Sequence, residues 1–218
     1  MGTTYLFKTT KTLPGQTIQL RHRGIWLAKG EQKVIMSQLT RARGLLSSTI
    51  AAISSGPSNS DNNHAGTYFV TGLSSGEWLQ VMAKLELTYH GLTNDFTLKL
   101  GVRGQSKEGT LGYVTSDIVP IGTPGSFVDS DGDNVRFGSH TVHISKKKML
   151  EDHEIGVITL IHECTHKFAS TDDYDPRGYR NNADTGWQAP GLTHAEAMNN
   201  ADSYAYLAYH MGRSRGWN

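Results

Sequence analysis

Residues 160–175 read Leu160-Ile161-His162-Glu163-Cys164-Thr165-His166-Lys167-Phe168-Ala169-Ser170-Thr171-Asp172-Asp173-Tyr174-Asp175. Around the two histidines the apolar residues Ile155, Ile158, Ile161, Cys164 and Phe168 recur at three- and four-residue steps. That spacing predicts a helix from near Glu151 to Phe168 with one apolar face. At about 100° per residue, side chains four positions apart point within about 40° of one another, one turn apart. His162 and His166 therefore offer two imidazoles to a single point, with Glu163 beside them. Two nitrogens so placed suit a tetrahedral metal ion that keeps one position open, and zinc is the ion such a site favours. Glu163 is then the candidate general base, placed to take a proton from water. Cys164 lies about 200° around the helix from His162 and reads as a small buried apolar residue.

Beyond the helix, the stretch 169–174 is polar enough to supply a third ligand, and both Asp172 and Asp173 are candidates. Asp172 lies ten residues after His162, where the pattern HExxHxxGxxD has its aspartate, although Ala169 stands where that pattern has Gly. Thr193-His194-Ala195-Glu196 is a capping-box pattern opening a last helix, and Gly212 after Met211 suits a left-handed stop. His194 in that first turn reads as exposed, with the rim of a cleft as the alternative. Asp202 falls mid-helix among Ala and aromatic neighbours, an odd place for a lone carboxylate. It is a candidate acceptor for the outer N–H of a ligand histidine, with an ordinary solvated helix carboxylate as the alternative.

Upstream, Ile35, Leu39, Ala42, Leu46, Ile50 and Ile53 predict an amphipathic helix over 33–54, closed by the turn residues Gly56-Pro57 and a polar run to Asn63. A second helix is predicted over 77–89. Alternation over 96–102 predicts a strand, with shorter strand candidates at 111–114 and 141–144. Lys146-Lys147-Lys148 reads as a solvated charge run, and residues 129–134 as a polar turn rather than a calcium loop. The class is α+β: a mainly helical domain with a small β-sheet over 33–218, and residues 1–32 form an N-terminal appendage or an arm against the core.

His162 to Tyr174 resembles the deuterolysin and peptidyl-lysine metallopeptidase family, the aspzincins, whose pattern is HExxH followed by Gly-Thr-x-Asp and then a Tyr. Asn200-Ala201-Asp202-Ser203-Tyr204 resembles the family's C-terminal helix, and residues 33–69 its opening helix and following aromatic pair. The resemblance implies a zincin-like fold, one catalytic Zn2+ held by His162, His166 and Asp173, and hydrolysis of peptide bonds in proteins. Two departures stand out. Ser170 replaces the family's Gly, and Pro176 occupies the expected place of the oxyanion-stabilising tyrosine. A three-residue insertion brings Tyr179 into that role, with Tyr174 as the other candidate.

Across the whole chain, 218 residues suffice for one core, and 37% hydrophobic with 19% charged residues is ordinary for a globular protein. A formal charge of +1 gives no field for nucleic acid or an anionic membrane. One cysteine forms no internal disulfide, and the sequence leads us to expect neither a classical signal peptide nor a membrane-inserting stretch. The expected substrate is a protein or peptide. Location stays open between the cytoplasm and a dedicated export route. The exported case is an effector or toxin peptidase, with an immunity or inhibitor protein as partner. A non-catalytic zinc-stabilised binding module is the alternative, against which Glu163 argues, because a structural site has no use for a general base.

Overall fold

The computed structural model describes residues 4–13, 16–23, 29–94, 97–101, 111–118, 120–124, 126–128, 134–180, 186–187 and 191–217. Residues 129–133 of the polar turn, and the ends 96 and 102 of the first predicted strand, lie outside them.

The apolar stripe centred on Ile161 does form a helix. It is divided into α4 (Lys146–Glu151) and α5 (His153–Ala169), and the side chain of Asp152 accepts from the N–H of Ile155 to start the second. The lysine run thus becomes a short helix, tied back by a 2.8 Å ion pair from Lys146 to Glu31. Around α5 pack α1 (Lys29–Ser54), α3 (Ser75–Thr93) and α7 (Ala201–Arg213). Their contact faces carry Ile35, Leu39, Leu46, Val81, Leu85, Val157, Leu160, Ile161, Tyr204 and Leu207, all buried.

The sheet has strands β1 (Thr4–Leu13), β2 (Gln16–Arg23), β3 (Thr97–Gly101), β4 (Gly112–Ile118), β5 (Phe127–Val128) and β6 (Asn134–Ser145). Its order is β1-β2-β3-β6-β4, with β5 also on β6. The β1–β2 hairpin is antiparallel, and β2 pairs in parallel with β3, which pairs in parallel with β6. Register sets Leu98 against Val142 and Leu100 against Ile144, so the alternating apolar positions share one buried face. β4 runs antiparallel to β6 at the sheet's edge, and both strands lie against α5. The fold is α+β with helices predominating.

Three details differ from the sequence reading. The polar run after Gly56-Pro57 is not only a turn: Ser58 and Asp61 form a capping box that starts α2 (Asn59–Tyr68). The last helix is broken, with α6 (His194–Ala197) ending before Asn200 and α7 beginning at Ala201. Gly212 lies inside α7 rather than in a left-handed stop. A Cβ there would come within 2.7 Å of the Leu45 Cα, so the residue is small because α1 and α7 approach closely. Among the described residues no helix is long and apolar enough to cross a membrane.

Candidate metal centre

α5 carries His162, Glu163 and His166 on the side that faces β4 and the chain beyond the helix. The helix stops at Ser170, whose φ of 51° and ψ of 45° are left-handed. An L-residue there costs about 1–2 kcal/mol, which explains why a glycine suits this position. The reversal at Ser170 swings Thr171, Asp172 and Asp173 back alongside the helix. An isolated parallel bridge between Asp172 and Asn200 fixes the returning chain, with Asp172 N–H donating to the Asn199 carbonyl and Ala201 N–H to that of Asp172.

Three donor atoms then converge. The Nε2 atoms of His162 and His166 lie 3.0 Å apart, and Asp173 Oδ1 lies 3.3 Å from each. Asp172 is turned away from this role, its Oδ1 accepting the N–H of Asp173 at 2.8 Å. Each imidazole is anchored by its other nitrogen. His162 Nδ1 lies 2.7 Å from Asp202 Oδ1, and His166 Nδ1 lies 2.7 Å from the Thr171 carbonyl. A carbonyl only accepts, so His166 carries its proton on Nδ1, and the Asp202 carboxylate favours the same tautomer for His162. Neutral imidazoles so anchored point two lone pairs and a carboxylate oxygen at one another across 3.0–3.3 Å. Such a cluster can hold a cation among its members. Metal–ligand bonds of about 2.0 Å in a tetrahedron space the ligand atoms roughly 3.3 Å apart, so zinc fits the donors and their separations.

The electrostatics agree. Burial opposes charge on both imidazoles, yet Asp173 outweighs it and holds each above the ordinary histidine range, with Asp202 adding to the effect at His162. A field that favours protons here favours a divalent cation in their place. Burial likewise pushes the Asp173 carboxyl up, but the two imidazoles hold it well below the usual carboxylate range.

Glu163 is buried, and its Oε2 accepts no hydrogen bond among the described residues. Burial pushes its carboxyl up to about 7. The side chain lies against Gly112 of β4, where a Cβ would fall 2.6 Å from Glu163 Oε1. Tyr179 reaches the cluster: its hydroxyl donates to Asp173 Oδ2 at 2.8 Å, and its ring stacks beside that of His162. Burial, then the Asp173 carboxylate, push the phenol upward, so it stays a protonated donor. Tyr174 instead packs against the core, with the Arg177 guanidinium over its ring. The turn that carries Tyr179 inward is closed by Gly178, whose carbonyl accepts from Asn200 Nδ2 at 2.8 Å.

Cys164 is fully buried away from the donors. His194 is not simply exposed: its Nε2 lies 2.7 Å from Glu77 Oε1 and its Nδ1 2.7 Å from the Phe69 carbonyl, which ties α6 to the N-terminal turn of α3. The sequence reading gave no role to Asn200, which joins the bridge to the Tyr179 turn, or to Arg180, whose N–H donates to Asp202 Oδ2 at 2.8 Å. Each meets a main-chain group or offers one, and such pairing leaves no periodic trace in a sequence.

The structure is similar to that of a zinc peptidase from Grifola frondosa, with a TM-score of 0.57, 15% sequence identity, and coverage of 84% of this chain and 97% of that one. No sequence model of a known protein family matches the chain, and no curated protein matches it by sequence. The likeness to the zinc peptidase is a likeness of fold.

Proposed function

We propose that the protein is a zinc-dependent metalloendopeptidase of the aspzincin kind, acting on peptide bonds in proteins. One observation carries the reading: His162, His166 and Asp173 offer three converging lone pairs at tetrahedral spacing, next to a buried carboxylate that is not itself a member of the cluster. A site meant only to hold the fold together would close its fourth position with a protein ligand.

When bound, zinc supplies Lewis acidity, lowering the pKa of water towards about 7 and polarising a carbonyl oxygen. The remaining work belongs to side chains. Glu163, with its carboxyl near neutrality, takes a proton from the attacking water and returns it to the leaving amine. Asp202 and the Thr171 carbonyl hold the two imidazoles in the tautomer that presents Nε2. Tyr179, a phenol protonated across the working pH range, is the donor we assign to the oxyanion of the tetrahedral intermediate.

The test is digestion of a denatured protein mixture by wild type and by Glu163→Ala, with zinc content determined for both. Peptides cut by the wild type alone, with about one zinc retained by each protein, are the expected result. Full zinc in both and no cleavage by either would remove the peptidase reading and leave a binding module. A wild type that takes up no zinc would overturn the ligand assignment itself.

A further inference from the structure

Both oxygens of the Asp202 carboxylate are engaged. Oδ1 meets His162 Nδ1 at 2.7 Å, and Oδ2 accepts the main-chain N–H of Arg180 at 2.8 Å. The second contact comes from Arg180, which follows the Tyr179 turn and belongs to no named helix or strand. The Arg180 side chain is buried. Its guanidinium carbon lies 4.8 Å from the ring centroid of Tyr68, 4.9 Å from Trp187 and 5.7 Å from Tyr206. The walls have separate origins: Tyr68 ends α2, Tyr206 lies on α7, and Trp187 pairs back to Arg180 through an isolated antiparallel bridge.

Asp202 and Tyr206 are four residues apart on α7, and so occupy one face of that helix, a turn apart. α7 therefore grips residue 180 at two points: Asp202 takes its main-chain N–H, and Tyr206 takes its side chain. With the donor immobile, the carboxylate cannot rotate away from His162 without abandoning a buried hydrogen bond. A planar guanidinium suits this cage, since it stacks on ring faces in a way that an ammonium does not.

Resting on the zinc reading above, we propose that Arg180 is a positioning residue for the metal centre: its caged side chain fixes the N–H that holds Asp202, and through Asp202 the imidazole of His162. Side-chain substitution leaves the N–H itself in place, so on this proposal its effect on the metal comes through where that N–H sits.

The experiment is a zinc dissociation constant, measured by competition with a chromophoric chelator, for wild type, Arg180→Met, Arg180→Lys, Asp202→Ala and the Arg180→Met/Asp202→Ala pair. Asp202→Ala is expected to weaken zinc binding about 10–100-fold, and Arg180→Met about tenfold. Arg180→Lys should fall between Arg180→Met and wild type. In the double variant the Arg180 change should add almost nothing, because its route to the metal is already cut. Wild-type affinity in Arg180→Met, or a loss that adds in full to that of Asp202→Ala, overturns the proposal. Should Arg180→Met fail to fold, Trp187→Leu removes one wall and keeps the arginine. It is expected to weaken zinc binding several-fold, and an unchanged constant overturns the proposal equally. Failure of the wild type to bind zinc would sink this inference together with the metal reading; zinc binding that is indifferent to residue 180 sinks this inference alone.

Discussion

Gly112 and Glu163 meet so closely that the strand residue acts as a mould for the carboxylate. A Cβ at 112 would stand 2.6 Å from Glu163 Oε1 and 2.8 Å from its Cγ, and the carboxylate also feels the charges of His162, His166 and Asp173. In Gly112→Ala the side chain of Glu163 must shift by a few tenths of an ångström or more while His162 and His166 keep their places. On the peptidase reading, kcat is expected to fall by up to about a hundredfold, as displacement of a reacting group by 1 Å does, with zinc content unchanged. Steady-state kinetics beside metal analysis checks this, and wild-type kcat would mean that the strand leaves the base free to move. At this scale the sequence was informative where helix geometry alone decides: the spacing of His162, Glu163 and His166 places them together whatever surrounds them. Choosing between Asp172 and Asp173 was different. It depends on a reversal at Ser170 and on the bridge to Asn200, and neither is written in the residues themselves.

Capping chemistry decides several of the helices, and it was only partly legible. Ser58 and Asp61 start α2, yet they follow Gly56-Pro57 and blend into a run of Ser and Asn that is indistinguishable from a loop by composition. Thr193 and Glu196 do form the box expected of them, but the helix they open stops after one turn, because residues 199 and 200 are drawn into pairing with Asp172. Nη2 of Arg215 also donates to both oxygens of Asp61, at 2.9 and 2.7 Å, which ties the segment after α7 to the start of α2. Burial pushes the Asp61 carboxyl up, but hydrogen bonds from Arg215 and Ser58 outweigh it and hold the group below its usual range. A carboxyl depressed in the folded state adds stability that is complete above its unfolded value of about 4 and is lost as the pH falls through the folded value. Arg215→Met should therefore destabilise the protein by about 2 kcal/mol at pH 7. The difference from wild type should shrink as the pH drops towards 3. Urea unfolding at a series of pH values reads this directly, and a difference that stays constant with pH would show that the loss comes from packing rather than charge.

Across the molecule, the donor cluster adds a further link among α5, the returning chain at 171–173 and, by way of Asp202, α7. An ion bound there holds all three together, so metal and fold are linked. With free zinc at a thousand times its dissociation constant, the stabilisation is about 4 kcal/mol. Stripping the metal should then lower the melting temperature by on the order of 10 °C in a chain of this size, and adding zinc back should restore it. Calorimetry with and without chelator measures the shift, and an unmoved transition would count against a bound ion. The α+β class and the helical core were legible because apolar periodicity reports burial locally. The extent of the sheet was not, since parallel pairing of β2 with β3 and of β3 with β6 joins strands with no turn between them to announce it.

That parallel pairing has a consequence during synthesis. Leu20 lies opposite Leu98, so roughly eighty residues must be added after the hairpin is made before its partner strand exists. At the usual elongation rate of about 5–20 residues per second, the wait is on the order of 4–16 s. Throughout it the inner edge of β2 offers unsatisfied main-chain donors and acceptors, and a neighbouring nascent chain on the same message presents the same edge. Crowded polysomes and slow codons between positions 24 and 97 would lengthen that exposure, making the yield of folded protein sensitive to translation speed over a stretch that supplies none of the three converging donors.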